Sequence, residues 1–199
     1  MYARRKCVAR SNRERTEATR QALLDAARTL FVSRGYGETS TPDVCAAAGI
    51  TRGALYHHFA DKRDLFRHVL AEEAAAVAAD IEAATPDGQD PAEALIAGAQ
   101  AYLDAMTVPG RTRLLLVEGP AALGLRETLA LDEANAARTL REGLDTAGVG
   151  QRGDMAVRAL APLLSAAFDR AALEIEAGAD AARVREAMLW LLRRVLGKG

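Results

Sequence analysis

A chain of 199 residues with two cysteines and a formal net charge of −1 can bury cores of its own without disulfides or a structural metal, which excludes a disulfide-stapled fold. Alanine and leucine abound, only 5% of residues are aromatic, and no alternating run rich in Val, Ile and Thr suggests a strand, so an all-α fold is expected. No apolar stretch reaches membrane-spanning length and the basic start Arg4-Arg5-Lys6 is not followed by the apolar core of a signal peptide, so a cytoplasmic location without a membrane partner is expected.

Residues 1–15 carry Arg4, Arg5, Lys6, Arg10, Arg13 and Arg15 with little apolar content and read as a flexible basic arm, suited to a minor groove or simply solvated. Ala22, Leu23, Ala26, Ala27, Leu30 and Phe31 then recur at helical spacing, which predicts an amphipathic helix ending at Gly35.

The next two elements carry the strongest signal. Ser40 can cap a helix whose first turn holds Pro42, where a missing N–H does no harm, and Asp43, whose carboxylate faces the positive end of the helix dipole. Val44, Ala47 and Ala48 continue at helical spacing, and Gly49 supplies the positive φ that ends the helix. Thr51 caps a second short helix on which Leu55 and Phe59 point inward, leaving Arg52, Gly53, Tyr56 and His57 broadly outward. This is a helix-turn-helix with a face suited to a DNA duplex. Arginine can pair bidentately with guanine, glycine lets the backbone approach, and Tyr56, His58 and Lys62 offer donors or charge to phosphates.

One long helix is predicted over 62–84, broken by Thr85-Pro86-Asp87-Gly88, and another over 91–107. Pro109-Gly110 interrupts before a helix at 111–117, and Gly119-Pro120 reads as a further break before a single helix over 127–146. The last two helices are placed at 154–177 and 180–196, with Gly178 between them. On the first, Val157, Leu160, Leu164, Phe168 and Ala171 form an apolar stripe; on the second, Val184, Met188, Leu191, Leu192 and Val195 do. Charge is divided along the chain. Residues 1–70 hold 13 Lys/Arg against 7 Asp/Glu, whereas residues 71–199 hold 13 against 20, which suits a first part that binds phosphates and a remainder that avoids them.

From residue 16 to 77 the chain resembles the TetR/AcrR family of transcriptional regulators. The motifs are Ala26-Ala27-Arg28-Thr29-Leu30-Phe31 with Gly35-Tyr36, Thr39-Ser40, Ala47-Ala48-Gly49-Ile50-Thr51-Arg52-Gly53-Ala54-Leu55-Tyr56-His57-His58-Phe59, and Asp61-Lys62-Arg63-Asp64-Leu65-Phe66. The resemblance implies phosphate contacts at Thr41, Tyr56, His58 and Lys62, and base reading at Arg52, Gly53 and His57. Pro42 departs from members that place a base-reading arginine there, which shifts the expected reading onto the second helix. It further implies a helix-turn-helix domain at 16–61 and a helical ligand-binding and dimerisation domain at 62–199, with the 62–84 helix as the lever between them. A homodimer is expected through the last helix pair, by way of Leu160, Leu164, Phe168, Met188, Leu191 and Val195, because two operator half-sites require a two-fold protein.

The middle helices are the expected place for a small-molecule effector. Tyr102, Met106, Leu114, Leu115, Val117, Leu123 and Leu125 are positioned to line an apolar cavity, or simply to form core, and Glu118, Arg126 and Asn135 could add polar contacts. Catalysis is not expected. His57, His58 and His68 with Cys45 do not make a compact metal or catalytic set, no HExxH, CxxC, phosphate loop or nucleophile elbow is present, and no cofactor or metal is implied. Cys45 is expected to be buried and Cys7 to be incidental in the arm. The expected function is a dimeric repressor released from a palindromic operator by an effector. The alternative is a regulator of the same fold that answers to a protein partner, to cysteine oxidation or to no ligand.

Overall fold

The computed structural model describes residues 12–86, 88–149 and 157–197. Most of the basic arm, Cys7, Gly150 and the expected helix start at residue 154 lie outside them. Among the described residues every regular element is helical. Two compact units, Met1–Val69 and Leu70–Gly199, divide within α4 (Lys62–Ala84).

In the first unit, α1 spans Asn12–Glu38, so Arg13 and Arg15 belong to a helix and not to a flexible arm. Gly35, at φ 83°, breaks the helical path where the sequence placed its end. The break frees carbonyls that need new donors, and Lys62 supplies them: its Nζ donates to Tyr36 O at 2.7 Å and Gly37 O at 3.3 Å and lies 4.3 Å from the Tyr36 ring centre. The short helices α2 (Thr41–Ala48) and α3 (Arg52–His58) follow. Phe31 and Phe66 meet edge to face with centroids 4.9 Å apart, and Leu23, Leu55, Phe59 and Leu65 complete a core from which water is excluded.

The second unit continues with α5 (Pro91–Ala105), α6 (Arg111–Arg113), α7 (Gly119–Leu123), α8 (Leu125–Glu133), α9 (Ala136–Thr146), α10 (Val157–Glu176) and α11 (Ala181–Val195). Asp90 and Asp180 cap α5 and α11 by accepting two backbone N–H groups each. Helices α9 and α11 pack on both α5 and α10 around Leu95, Leu103, Leu144, Phe168 and Leu192. Gly143 permits the α5–α9 approach, since a Cβ there would meet Leu95 Cδ2 at 2.9 Å.

Two expected boundaries are corrected. Gly119-Pro120 is no break: a π-helical turn over Leu114–Glu118 carries α6 into α7, and Pro120 sits in the first turn of α7, where its absent N–H is harmless. Gly119 answers to packing, because a Cβ there would come within about 3.1 Å of Leu114 O and Leu70 Cδ1. The chain turns instead at Gly124, with φ 87°. The single helix expected over 127–146 is two, parted at Asn135, whose φ of −128° and ψ of −108° are not helical.

Arg111 and Glu73 are a buried ion pair. Arg111 Nε lies 2.8 Å from Glu73 Oε2, and its guanidinium also donates to Ala105 O at 2.9 Å and stands 3.6 Å from Asp80. The pair ties α4 to the corner between α5 and α6, where Thr112 also donates to Met106 O at 2.7 Å.

Candidate nucleic-acid interface and central cavities

Capping fixes the helix pair. Ser40 Oγ accepts from Asp43 N at 3.3 Å while Asp43 accepts from Ser40 N at 3.1 Å, a reciprocal box that starts α2. The Ser40 hydroxyl, which also donates to Asp43 Oδ2, and next the Ser40 N–H hold the Asp43 carboxyl below its ordinary pKa. Gly49, at φ 67°, closes α2 in the left-handed conformation, with Ile50 N donating to Cys45 O at 3.0 Å. Thr51 Oγ1 accepts from Ala54 N at 3.3 Å and starts α3.

Leu55 and Phe59 are buried, so the rest of α3 is forced outward: Arg52, Gly53, Tyr56 and His57 are exposed and His58 is half-buried. Tyr56 Oη lies 3.3 Å from Thr41 Oγ1, joining the start of α2 to the outer face of α3. Hydrogen bonds with Thr41, and next with Arg52, draw the Tyr56 hydroxyl below the usual phenol pKa, which strengthens it as a donor to an anionic oxygen. Burial, followed by the charges of His57 and Arg20, lowers the pKa of His58. Gly53 has open space where a Cβ would stand. Thr41, Arg52, Gly53, Tyr56, His57 and His58 thus share one region, whereas Lys62 is half-buried and already gives two hydrogen bonds to carbonyls.

The second unit holds two cavities that share Tyr102 and Ala136. The larger, about 390 Å³, is lined by residues that include Ile81, Leu95, Gly98, Leu140 and Phe168. The smaller, about 220 Å³, is lined in part by Val77, Met106, Leu115, Leu129 and Leu173. Of the residues singled out in the sequence, Tyr102, Met106, Leu115, Leu125 and Asn135 line the smaller cavity. Glu118, Leu123 and Arg126 line neither: Glu118 pairs with Arg113 at 2.8 Å, Leu123 is buried and Arg126 is exposed.

Sequence reading missed the polar groups between the cavities. Tyr102 Oη donates to Asp169 Oδ1 at 2.6 Å and Ser165 Oγ donates to Asp132 Oδ2 at 3.0 Å. Burial raises the Asp169 carboxyl to about 6 against the opposing hydrogen bond from Tyr102, and raises Asp132 as well. Burial, and then the neighbouring Asp169, pushes the Tyr102 phenol well above its usual value. Tyr102 and Asp169 stand 67 positions apart, so no local spacing joins them. The one available signal is a carboxylate directly beside Phe168 on an apolar stripe.

Leu164, Phe168 and Met188, expected at a subunit interface, are 4%, 5% and 8% exposed and belong to the chain's own core, which Leu160, Leu191 and Val195 pack against. The large apolar side chains that α10 and α11 leave uncovered are Leu163 and Trp190, at 70% and 57% exposure. Among the described residues no helix is long and apolar enough to cross a membrane.

Two family profiles match the chain: bacterial regulatory proteins of the tetR family over residues 23–69, and a tetracyclin repressor-like C-terminal domain over residues 92–198. The HTH-type transcriptional regulator AcrR of Shigella flexneri is 45% identical over 62 residues, 31% of this chain and 29% of that protein. The HTH-type transcriptional repressor BepR of Brucella suis is 42% identical over 52 residues, 26% of this chain and 25% of that protein. The chain therefore aligns with less than a third of the length of these two curated relatives. The crystal structure of a TetR-family transcriptional regulator from Pectobacterium atrosepticum, 31% identical, matches 94% of this chain and 96% of its own with a TM-score of 0.68. Since the C-terminal profile alone covers more than half of the sequence and the N-terminal profile covers the capped helix pair, the chain belongs to the TetR family and is a DNA-binding transcriptional regulator.

Proposed function

We propose that the chain is a repressor that binds a palindromic operator as a homodimer and leaves it when a small molecule occupies the second unit. The observation that carries the DNA half is the exposed Arg52, Tyr56 and His57 face, tied to half-buried Thr41 by the Tyr56–Thr41 hydrogen bond, and the relatives named as regulator and repressor support the same reading. Arg52, Gly53 and His57 read bases, and Thr41, Tyr56 and His58 hold phosphates. Lys62 acts on phosphate with its remaining donor while it closes the end of α1.

Leu163 and Trp190 supply apolar surface for a second copy, and two recognition helices then enter major grooves roughly 34–36 Å apart. The cavities around Tyr102 take the effector, which releases DNA only as far as it binds the DNA-incompetent form more tightly, about 1–3 kcal/mol in typical cases. Oxidation of Cys45 is disfavoured as the trigger, because the thiol is buried and burial raises its pKa. The test is selection of duplexes from a randomised pool by the purified protein. An inverted repeat is expected; enrichment of a single unpaired site, or of none, refutes the operator reading.

A further inference from the structure

Among the described residues, every ionisable residue lining the two cavities is acidic or a phenol: Glu82 and Glu142 in the larger, Asp132 and Asp169 in the smaller, and Tyr102 in both; no described Lys, Arg or His lines either. Glu82 and Glu142 are already matched by Arg138, at 2.7 and 3.0 Å, whereas the donors to Asp132 and Asp169 among the described residues are neutral: Ser165 and the Ala137 N–H for Asp132, Tyr102 for Asp169. Around these two carboxyls the smaller cavity is apolar, walled by Val77, Met106, Leu115, Leu116 and Leu173. Its outer wall is α8, which has no buried residue and whose Leu125 and Leu129 are 65% and 57% exposed although both line the cavity.

We propose that the smaller cavity takes a lipophilic monocation, its apolar body covering Leu125 and Leu129 and its charge set against the Asp132 and Asp169 carboxylates. The inference rests on the effector-binding reading above and names the chemical class of that effector. An apolar wall stabilises the body of such a ligand by removing its surface from water. The same wall makes an uncompensated carboxylate costly, and a cation relieves that cost, whereas an anion adds to it. The hydrogen bonds from Tyr102 to Asp169, and from Ser165 and the Ala137 N–H to Asp132, still leave each carboxylate with lone pairs for the charge.

The groups around Asp169 fix the pH dependence. Tyr102 faces it from α5 and Asp132 from α8, while α4 contributes Ala74 and Val77 and the π-helical turn Leu115 and Leu116, none of which titrates. Asp169 takes up a proton as the medium falls below about pH 6, Asp132 is raised by burial in the same way, and cation binding to the protonated cavity must release protons.

The probes are benzyltrimethylammonium and its uncharged carbon isostere neopentylbenzene, titrated calorimetrically into the full-length protein. The cation is expected to bind more tightly than the isostere, and Asp169→Asn or Asp132→Asn to weaken it about tenfold or more while leaving the isostere unchanged. Its affinity should fall, by up to about tenfold, between neutral pH and about pH 5, and this fall should shrink in Asp169→Asn. Thermal melts of both variants check that they fold. Equal binding of the two probes, cation affinity indifferent to both substitutions, or no binding of the cation overturns the proposal. A parallel operator titration separates the two readings. Asp-dependent cation binding that leaves operator affinity unchanged upholds the cation site and removes effector release. Release by uncharged ligands that ignore both substitutions upholds release and overturns the cation site.

Discussion

Asp169 gives the second unit a stability that depends on pH in an unusual direction. Its carboxyl is raised to about 6 from an ordinary 3.8, chiefly by burial, so the folded chain holds the proton more tightly than the unfolded chain. The contribution is therefore fully present below about pH 4 and is lost as the pH rises through 6. A separation of about two pKa units corresponds to about 3 kcal/mol by pH 7. Asp169→Asn removes the titration and keeps an oxygen to accept the Tyr102 hydroxyl, which sits 2.6 Å away. The variant should match or fall below the native chain near pH 4 and gain on it steadily to pH 7, where its melting temperature should be higher by on the order of 10 °C. Urea titrations followed by circular dichroism at fixed protein concentration, repeated at half-unit steps between these limits, measure the difference directly. Parallel stability curves with no change in their separation across this window would refute the argument, because they would mean that Asp169 titrates alike in both states.

Arg111→Met should cost about 3–5 kcal/mol, since Glu73 keeps its charge in a buried position, and adding Glu73→Leu should recover most of the loss in denaturant midpoint. Arg52→Ala should cost roughly 1–3 kcal/mol of operator binding and relax preference at one position of each half-site, and an unchanged specificity profile removes its base-reading role. Lys62→Ala should weaken all DNA sequences alike and also lower the melting temperature, because the ammonium is bonded to the Tyr36 and Gly37 carbonyls; loss of affinity with an unaltered melt contradicts that double role. Leu163→Glu with Trp190→Glu should give a folded monomer by sedimentation, as both side chains are exposed in the single chain, and a persistent dimer moves the interface elsewhere.

The DNA-facing unit was legible because its determinants are local. The Ser40–Asp43 box, the left-handed Gly49 and the Thr51 cap each act over three residues or fewer, and the one-turn spacing of Leu55 and Phe59 decides which side of α3 faces out. What stayed hidden there is long-range: the Lys62 ammonium reaches carbonyls 26 and 25 positions away, freed by the break at Gly35. A lysine at the start of a helix reads as charge for phosphate, and nothing near it in sequence announces acceptors waiting on another helix.

The second unit resisted reading for the opposite reason, since each signal there has two physical causes. Glycine before proline marks a turn when the backbone needs freedom, but at Gly119-Pro120 the glycine is small because Leu70 and Thr128 crowd it, and the helix passes through. Apolar spacing on α10 and α11 shows which faces are covered without showing by what, so Leu164, Phe168 and Met188 look the same whether a partner or their own chain buries them. The distinction turns on neighbours far along the chain: Phe168 meets the Tyr102 ring at 5.8 Å, and Leu163, next to a core leucine, is left in water. A carboxylate beside a buried phenylalanine is the one local sign of this arrangement. Burial is what makes Asp169 costly, its cost is what a bound charge would relieve, and its position next to Phe168 is where the sequence holds that information.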